Sequence, residues 1–101
     1  MAYQIFRTLR ARQDLLEIAD YTLGRWGRRQ MVKYLRELDA TIQKLAADPM
    51  LLGQDRSHVK PGLRSLPHKQ YHFIFYRVHG DTVEIIRVLH QRRDWARLVE
   101  P

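Results

Sequence analysis

The chain has 101 residues, with 18 Lys and Arg against 11 Asp and Glu, a formal charge of +7 and no cysteine. That length holds one small domain, read as residues 1–101, and frames a deep enclosed catalytic cavity only with difficulty. The missing cysteines exclude a disulfide scaffold, thiolate zinc sites, iron–sulfur clusters and a cysteine nucleophile. In chain order, Tyr3 to Leu9 alternates loosely and predicts a strand. Thr8 suits a helix N-cap, with Asp14 and Glu17 following in the early turns. Apolar positions at Leu15, Ile18, Ala19, Thr22 and Trp26 form a helical stripe that puts Trp26 in the core, and Gly27 ends it. A second stripe at Met31, Leu35, Leu38, Ile42 and Leu45 stops at Asp48-Pro49. Two helices joined around Gly24 to Gly27 lie antiparallel.

The second half changes character. Met50 to Pro61 reads as a loop and Leu63 to Leu66 as a short strand. Tyr71 to Val78 and Thr82 to Leu89 are dense in β-branched and aromatic residues, with His79-Gly80-Asp81 as the hairpin turn between them. Both faces of Tyr71 to Val78 are largely apolar, which predicts a central strand. The order β-α-α-β-β-β makes an α+β domain, a helical hairpin packed on a small antiparallel sheet.

Fourteen of the 18 cations are arginine, the side chain that forks onto phosphate and carboxylate. The excess points to an acidic partner: nucleic acid, an anionic membrane or an acidic protein. It gathers at Arg25, Arg28, Arg29, Lys33 and Arg36 around the helical bend, and again at Arg87, Arg92 and Arg93. The first group has a plain reading as the solvated face of the second helix. Arg87 falls in strand phase with Val83, Ile85 and Leu89, so it either pairs with a carboxylate or lines a groove. Trp95, past the last strand, is either a tail anchor or a contact residue. No apolar run approaches the ~20 residues of a membrane span, and Gln4 and Arg7 interrupt the apolar start, unlike a signal peptide. The expectation is a soluble, cytoplasmic protein without membrane contact.

His68 and His72 are four apart, but on a strand and without a third ligand at metal spacing, so no metal site is expected. Arg64, His72, Arg87 and His90 could meet on the sheet, where a histidine would move a proton while arginines stabilise a phosphate. The plain alternative is that they are polar residues of the sheet edge with hydrogen-bond partners of their own.

A series of short motifs runs nearly end to end. It comprises A-x-x-D-L-x-x-I-x-x-Y at Ala11, Asp14, Leu15, Ile18 and Tyr21, then Trp26-Gly27, then L-A-x-x-P at Leu45, Ala46 and Pro49. Gly53, Gly62-Leu63-Arg64, H-x-I-x-Y-R-V at His72 to Val78 and I-I-R-V-L-H-Q at Ile85 to Gln91 complete it. In this order and spacing the chain resembles the RelE/ParE superfamily of type II toxin–antitoxin toxins, and within it the ParE branch. RelE-like members are ribosome-dependent messenger RNA endoribonucleases, typically with an arginine just after the position of His72 and often a Tyr or His near the C-terminus. Here Phe73 follows His72, and Trp95, Arg97 and Leu98 follow Asp94. Of a ribonuclease set only Arg64, His72, Arg87, His90 and Arg92 remain.

The ParE resemblance implies a non-catalytic toxin that traps the DNA gyrase–DNA cleavage complex and is neutralised by a ParD-like antitoxin. It implies target contact through Arg87, His90, Gln91, Arg92, Arg93, Asp94 and Trp95. The antitoxin would meet the hairpin and sheet at Leu15, Ile18, Leu35, Leu38, Arg64 and Tyr76, the leucines and Ile18 also serving the core. No cofactor, metal or small-molecule substrate is called for, and the free toxin is left as a monomer or a homodimer.

Overall fold

The computed structural model describes residues 2–99. Its elements are β1 (Gln4–Arg7), α1 (Leu9–Trp26), α2 (Arg28–Lys44), α3 (Pro49–Leu52), β2 (Gln54–Asp55), β3 (Arg64–His68), β4 (His72–His79), β5 (Thr82–His90) and α4 (Trp95–Leu98). The strands form one sheet in the order β1-β5-β4-β3-β2, so β4 is central, as its two apolar faces predict. The α+β class and the helical hairpin follow the sequence expectation. One pairing departs from a wholly antiparallel sheet: β1 runs parallel to β5, Gln4 opposite Thr82 and Arg7 opposite Ile85. The intervening hairpin and three strands supply the long crossover that a parallel pair needs. The segment expected to be a loop holds α3 and β2, and α4 follows the last strand.

Thr8 caps α1 by accepting from the Ala11 amide at 3.1 Å, and its hydroxyl donates to the Ile86 carbonyl at 3.0 Å. Gly27 ends α1 and opens α2 with φ +89, a backbone state that L side chains rarely adopt. Both helices pack on one face of the sheet, where Ala11, Leu38, Ile42, Leu45, Ile74 and Tyr76 are buried with Val83, Ile85 and Val88. The opposite face is covered by a smaller cluster of Leu63, Phe75, Leu89 and Val99, flanked by Val59 and Trp95. Trp26 does not complete the first helical stripe: it is 64% exposed, because the hairpin tip stands clear of the sheet.

Strict alternation along β5 fails at one point. Phe75 faces Arg87 while Tyr76 faces Ile85, so Ile86 is a bulge. An extra residue reverses the side-chain phase. Val83, Ile85 and Val88 therefore join the helix-side core, while Leu89 joins the other cluster with Phe75, the residue opposite Arg87. Arg87 and Leu89 do not share the face of Val83 and Ile85, contrary to the period-two expectation.

Candidate functional site

Parallel pairing with β1 ends at Ile85 and the Thr8 hydroxyl donates to the Ile86 carbonyl, leaving the outer edge of β5 without a strand partner from Arg87 to His90. Asp14 closes its first unit. The carboxylate accepts from the Val88 amide at 2.9 Å and from Arg87 Nε and Nη2 at 2.8 and 3.0 Å. Arg87 Nη1 donates to the Leu98 carbonyl at 3.0 Å, tying α4 to the same point. The hydrogen bonds to Asp14 hold the guanidinium even more firmly protonated than usual. Arg87 is thus the carboxylate-paired arginine of the two sequence alternatives, and at 9% exposure it is a structural clamp rather than a surface for a target.

Beyond this clamp a groove of about 820 Å³ opens between the hairpin tip and the end of the sheet. Ile18, Tyr21 and Trp26 form one wall, Tyr71, His72 and His90 the other. Tyr34 lies at its base and Arg93 at its mouth. The wall exists because the second half of α1 leaves the sheet: Tyr21 is 68% exposed. At the base, the Tyr34 hydroxyl and His72 Nδ1 share a hydrogen bond of 2.6 Å. Burial first, then the neighbouring Tyr71 and Glu37, pushes the Tyr34 phenol up to about 12. Burial first, then His90 and His68, pushes His72 down to about 4. Both are therefore neutral near pH 7. His90 stacks edge-on to His72 with centroids 5.6 Å apart.

The residues of the ribonuclease alternative assemble only in part, the Arg92 amide donating to His90 Nδ1 at 3.1 Å. His72 and His90 meet, but Arg64 lies toward the other sheet edge, donating to the Met50 and Gly53 carbonyls at 2.8 and 2.7 Å. Arg87 is committed to Asp14, and Arg92 is on the exposed exit from β5. Phe73, where an arginine would be needed, packs edge-on against Trp95 with centroids 6.0 Å apart.

Of the residues expected at a target, Arg92, Arg93 and Asp94 are exposed at the strand exit. Gln91 is partly covered and holds the exit in place, its side-chain amide donating to the His72 carbonyl at 3.0 Å. Trp95 is the tail anchor of the two alternatives: its ring lies 5.2 Å from Phe75, with the Arg56 guanidinium 4.9 Å over it. Of the residues expected at an antitoxin, Leu15, Ile18 and Leu35 are half-buried, and of these Ile18 lines the groove. Leu38 and Tyr76 are fully buried, closed into the core beneath α2 and α3, and offer no surface to a partner. Tyr76 donates to the Pro49 carbonyl and leaves no room for a side chain at position 53, where a Cβ would sit 1.9 Å from its hydroxyl. Arg64 and Tyr76 are together the staple that fixes α3.

Sequence reasoning passed over Tyr34, Tyr71 and Gln30 at the groove. Tyr34 left a signal, since it precedes Leu38 by four and follows Met31 by three, in phase with the core stripe.

The architecture defines the class of protein. It matches the chromosomal ParDE toxin–antitoxin system from P. aeruginosa with a TM-score of 0.77, over 88% of this chain and 96% of that one at 22% identity. It matches the RelBE2 toxin–antitoxin complex of Mycobacterium tuberculosis with a TM-score of 0.66, over 92% and 95% at 21% identity. This is the RelE/ParE toxin fold. The family model described as ParE toxin of type II toxin–antitoxin system, parDE, matches residues 5–95. Toxin ParE1 of M. tuberculosis is 45% identical over 88 residues, 86% of this chain and 88% of that protein. Toxin ParE1 of Caulobacter vibrioides is 46% identical over 82 residues, 81% and 82% of the two chains. The chain belongs to the ParE family of type II toxin–antitoxin toxins, the ParE branch of the RelE/ParE superfamily.

Proposed function

We propose that this toxin acts in the cytoplasm without chemistry of its own, by holding DNA gyrase on cut DNA, and that a ParD-like antitoxin neutralises it. The observation that carries the non-catalytic half is the dispersal of Arg64 and Arg87 away from His72 and His90. His72 and His90 thus lose the two arginines expected to stabilise the phosphate and keep only the exposed Arg92 and Arg93 beside them, a weak arrangement for phosphodiester cleavage. Target contact falls to the exposed exit Arg92, Arg93 and Asp94, which Gln91 and Trp95 hold at a fixed place beside the sheet. The antitoxin's segment seats in the groove, where Tyr21, Trp26 and Tyr71 offer large apolar rings with polar edges.

The test is a cleavage assay with purified gyrase, supercoiled plasmid and toxin. Linear product that needs both gyrase and toxin, and disappears when the antitoxin encoded beside it is added, is the expected result. Plasmid that stays uncut at every toxin excess, with messenger RNA fragmented in cells making the toxin, replaces this reading with the ribonuclease one.

A further inference from the structure

The helix α2 carries Arg29, Lys33 and Arg36 on the side opposite Tyr34, Leu38 and Ile42, with Arg28 on the flank at its first turn, and all four are exposed. Arg25 stands at the head of this stripe, its guanidinium 5.6 Å from the Trp26 ring centroid. Residues 25–36 contain no acid. Among the described residues none of these five cations has a carboxylate within ion-pair distance, and the nearby Glu37 is taken by Lys69 at 2.7 Å. Arg28 and Arg29 moreover occupy the first turn of α2, where the helix dipole disfavours positive charge. A shallow depression of about 600 Å³ runs between Arg28, Arg29, Lys33 and Arg36, with Val32 and, at one side, the Lys69-paired Glu37 completing its lining.

We infer that this stripe is a binding face for the sugar-phosphate backbone of duplex DNA, a contact made by the toxin chain itself. The mutual repulsion of four helix cations is an electrostatic cost that a polyanion offsets. Its length suits a duplex: Arg28 to Arg36 advances about 12 Å along the axis, over which DNA presents about seven phosphates. The stripe has little apolar surface, since Val32 is its main hydrophobic member and is half-buried. An amphipathic peptide would find nothing there to bury, whereas phosphate needs only the guanidinium forks. Nor does the depression itself hold a ring on which an unpaired base could stack, since no aromatic residue lines it and Trp26 lines the groove instead. This contact needs neither gyrase nor the antitoxin.

Fluorescence anisotropy with a labelled 20-base-pair duplex of mixed sequence, without gyrase, tests it. The wild-type chain binds with a log–log salt slope of about −4, since each neutralised phosphate contributes about −0.9. The triple variant Arg29→Gln/Lys33→Gln/Arg36→Gln loses at least tenfold in affinity at 0.1 M salt, and its slope is shallower by about three such contributions. A control of identical net charge, Arg10→Gln/Arg12→Gln/Arg97→Gln, removes three other exposed cations and keeps the wild-type slope within one contribution. Equal loss in the two triples shows net charge rather than a site and overturns the inference. So does displacement of the duplex by poly-glutamate at equal charge concentration, which makes the face a site for acidic protein. Matching circular dichroism of the three chains confirms that each is folded.

Discussion

Asp14 and Arg87 form a buried ion pair at the place where β1 stops covering β5, and the same carboxylate also takes the Val88 amide. One side chain of α1 thus pairs a strand edge, a guanidinium and, through Arg87, the C-terminal α4. Replacing Asp14 by Asn leaves the arginine charged, buried and unpaired. A loss of about 3 kcal/mol is expected, read as a lower urea midpoint with an unchanged slope. Exchanging both, Asp14→Leu with Arg87→Met, recovers much of that loss because no charge is left stranded. A single variant with wild-type stability would show that the pair does not clamp the fold.

Stability should also fall in mild acid. The ordinary histidine pKa is 6.5, and burial lowers His72 to about 4 in the folded chain and lowers His68 as well. The unfolded chain therefore binds more protons as pH drops below about 6.5, so the stabilisation present at neutral pH is lost progressively toward pH 4. One such group contributes a slope of up to about 1.4 kcal/mol per pH unit. Urea unfolding at several pH values between 4.5 and 7.5 measures it, and His72→Asn should flatten the profile. Parallel profiles for the two chains would assign the acid sensitivity elsewhere.

The two tryptophans should report opposite environments. Trp26 is 64% exposed, whereas Trp95 packs on Phe73 and Phe75 beneath Arg56. In Trp26→Phe the remaining emission should be resistant to iodide, and in Trp95→Phe readily quenched. Trp95→Ala should cost about 2 kcal/mol, somewhat less than a fully buried aromatic, and should raise amide exchange across α4 first. Uniform acceleration through the sheet would show Trp95 to be part of the global core instead.

Groove substitutions should separate binding from folding. Tyr21 and Trp26 are exposed, so Tyr21→Ala and Trp26→Ala should change stability by less than about 0.5 kcal/mol. Each should weaken antitoxin binding by about 1–2 kcal/mol, roughly tenfold, as truncated aromatic anchors do. Calorimetry with the antitoxin measures the loss. Unchanged affinity in both would move the antitoxin off this groove.

Elements with a strong period were legible in the sequence. The Leu38, Ile42 and Leu45 stripe, the Thr8 cap, the Gly27 break and the central β4 follow from local chemistry. The side of the sheet that Arg87 takes was not legible, since one bulge at Ile86 inverts the alternation that strand reasoning depends on. Trp26 misled for a related reason: its phase is right for the core, but the tip of the hairpin extends past the sheet that would bury it. The groove was equally hidden, because it depends on Tyr21, Tyr34 and Tyr71, which come from α1, α2 and the turn between β3 and β4. Partner assignment for Arg87 was half visible: its phase demanded a carboxylate or a groove, and only the fold brings Asp14, seventy-three positions away, beneath it.

His90 and Arg93 belong at once to the groove and to the exit from β5. Whatever fills the groove covers them, and whatever grips the exit must approach over them. Two ligands that both need this corner exclude one another sterically, with no change of conformation required. Inhibition by a groove ligand would then be competitive: raising the concentration of target should restore toxin action, and the midpoint of neutralisation should move in proportion.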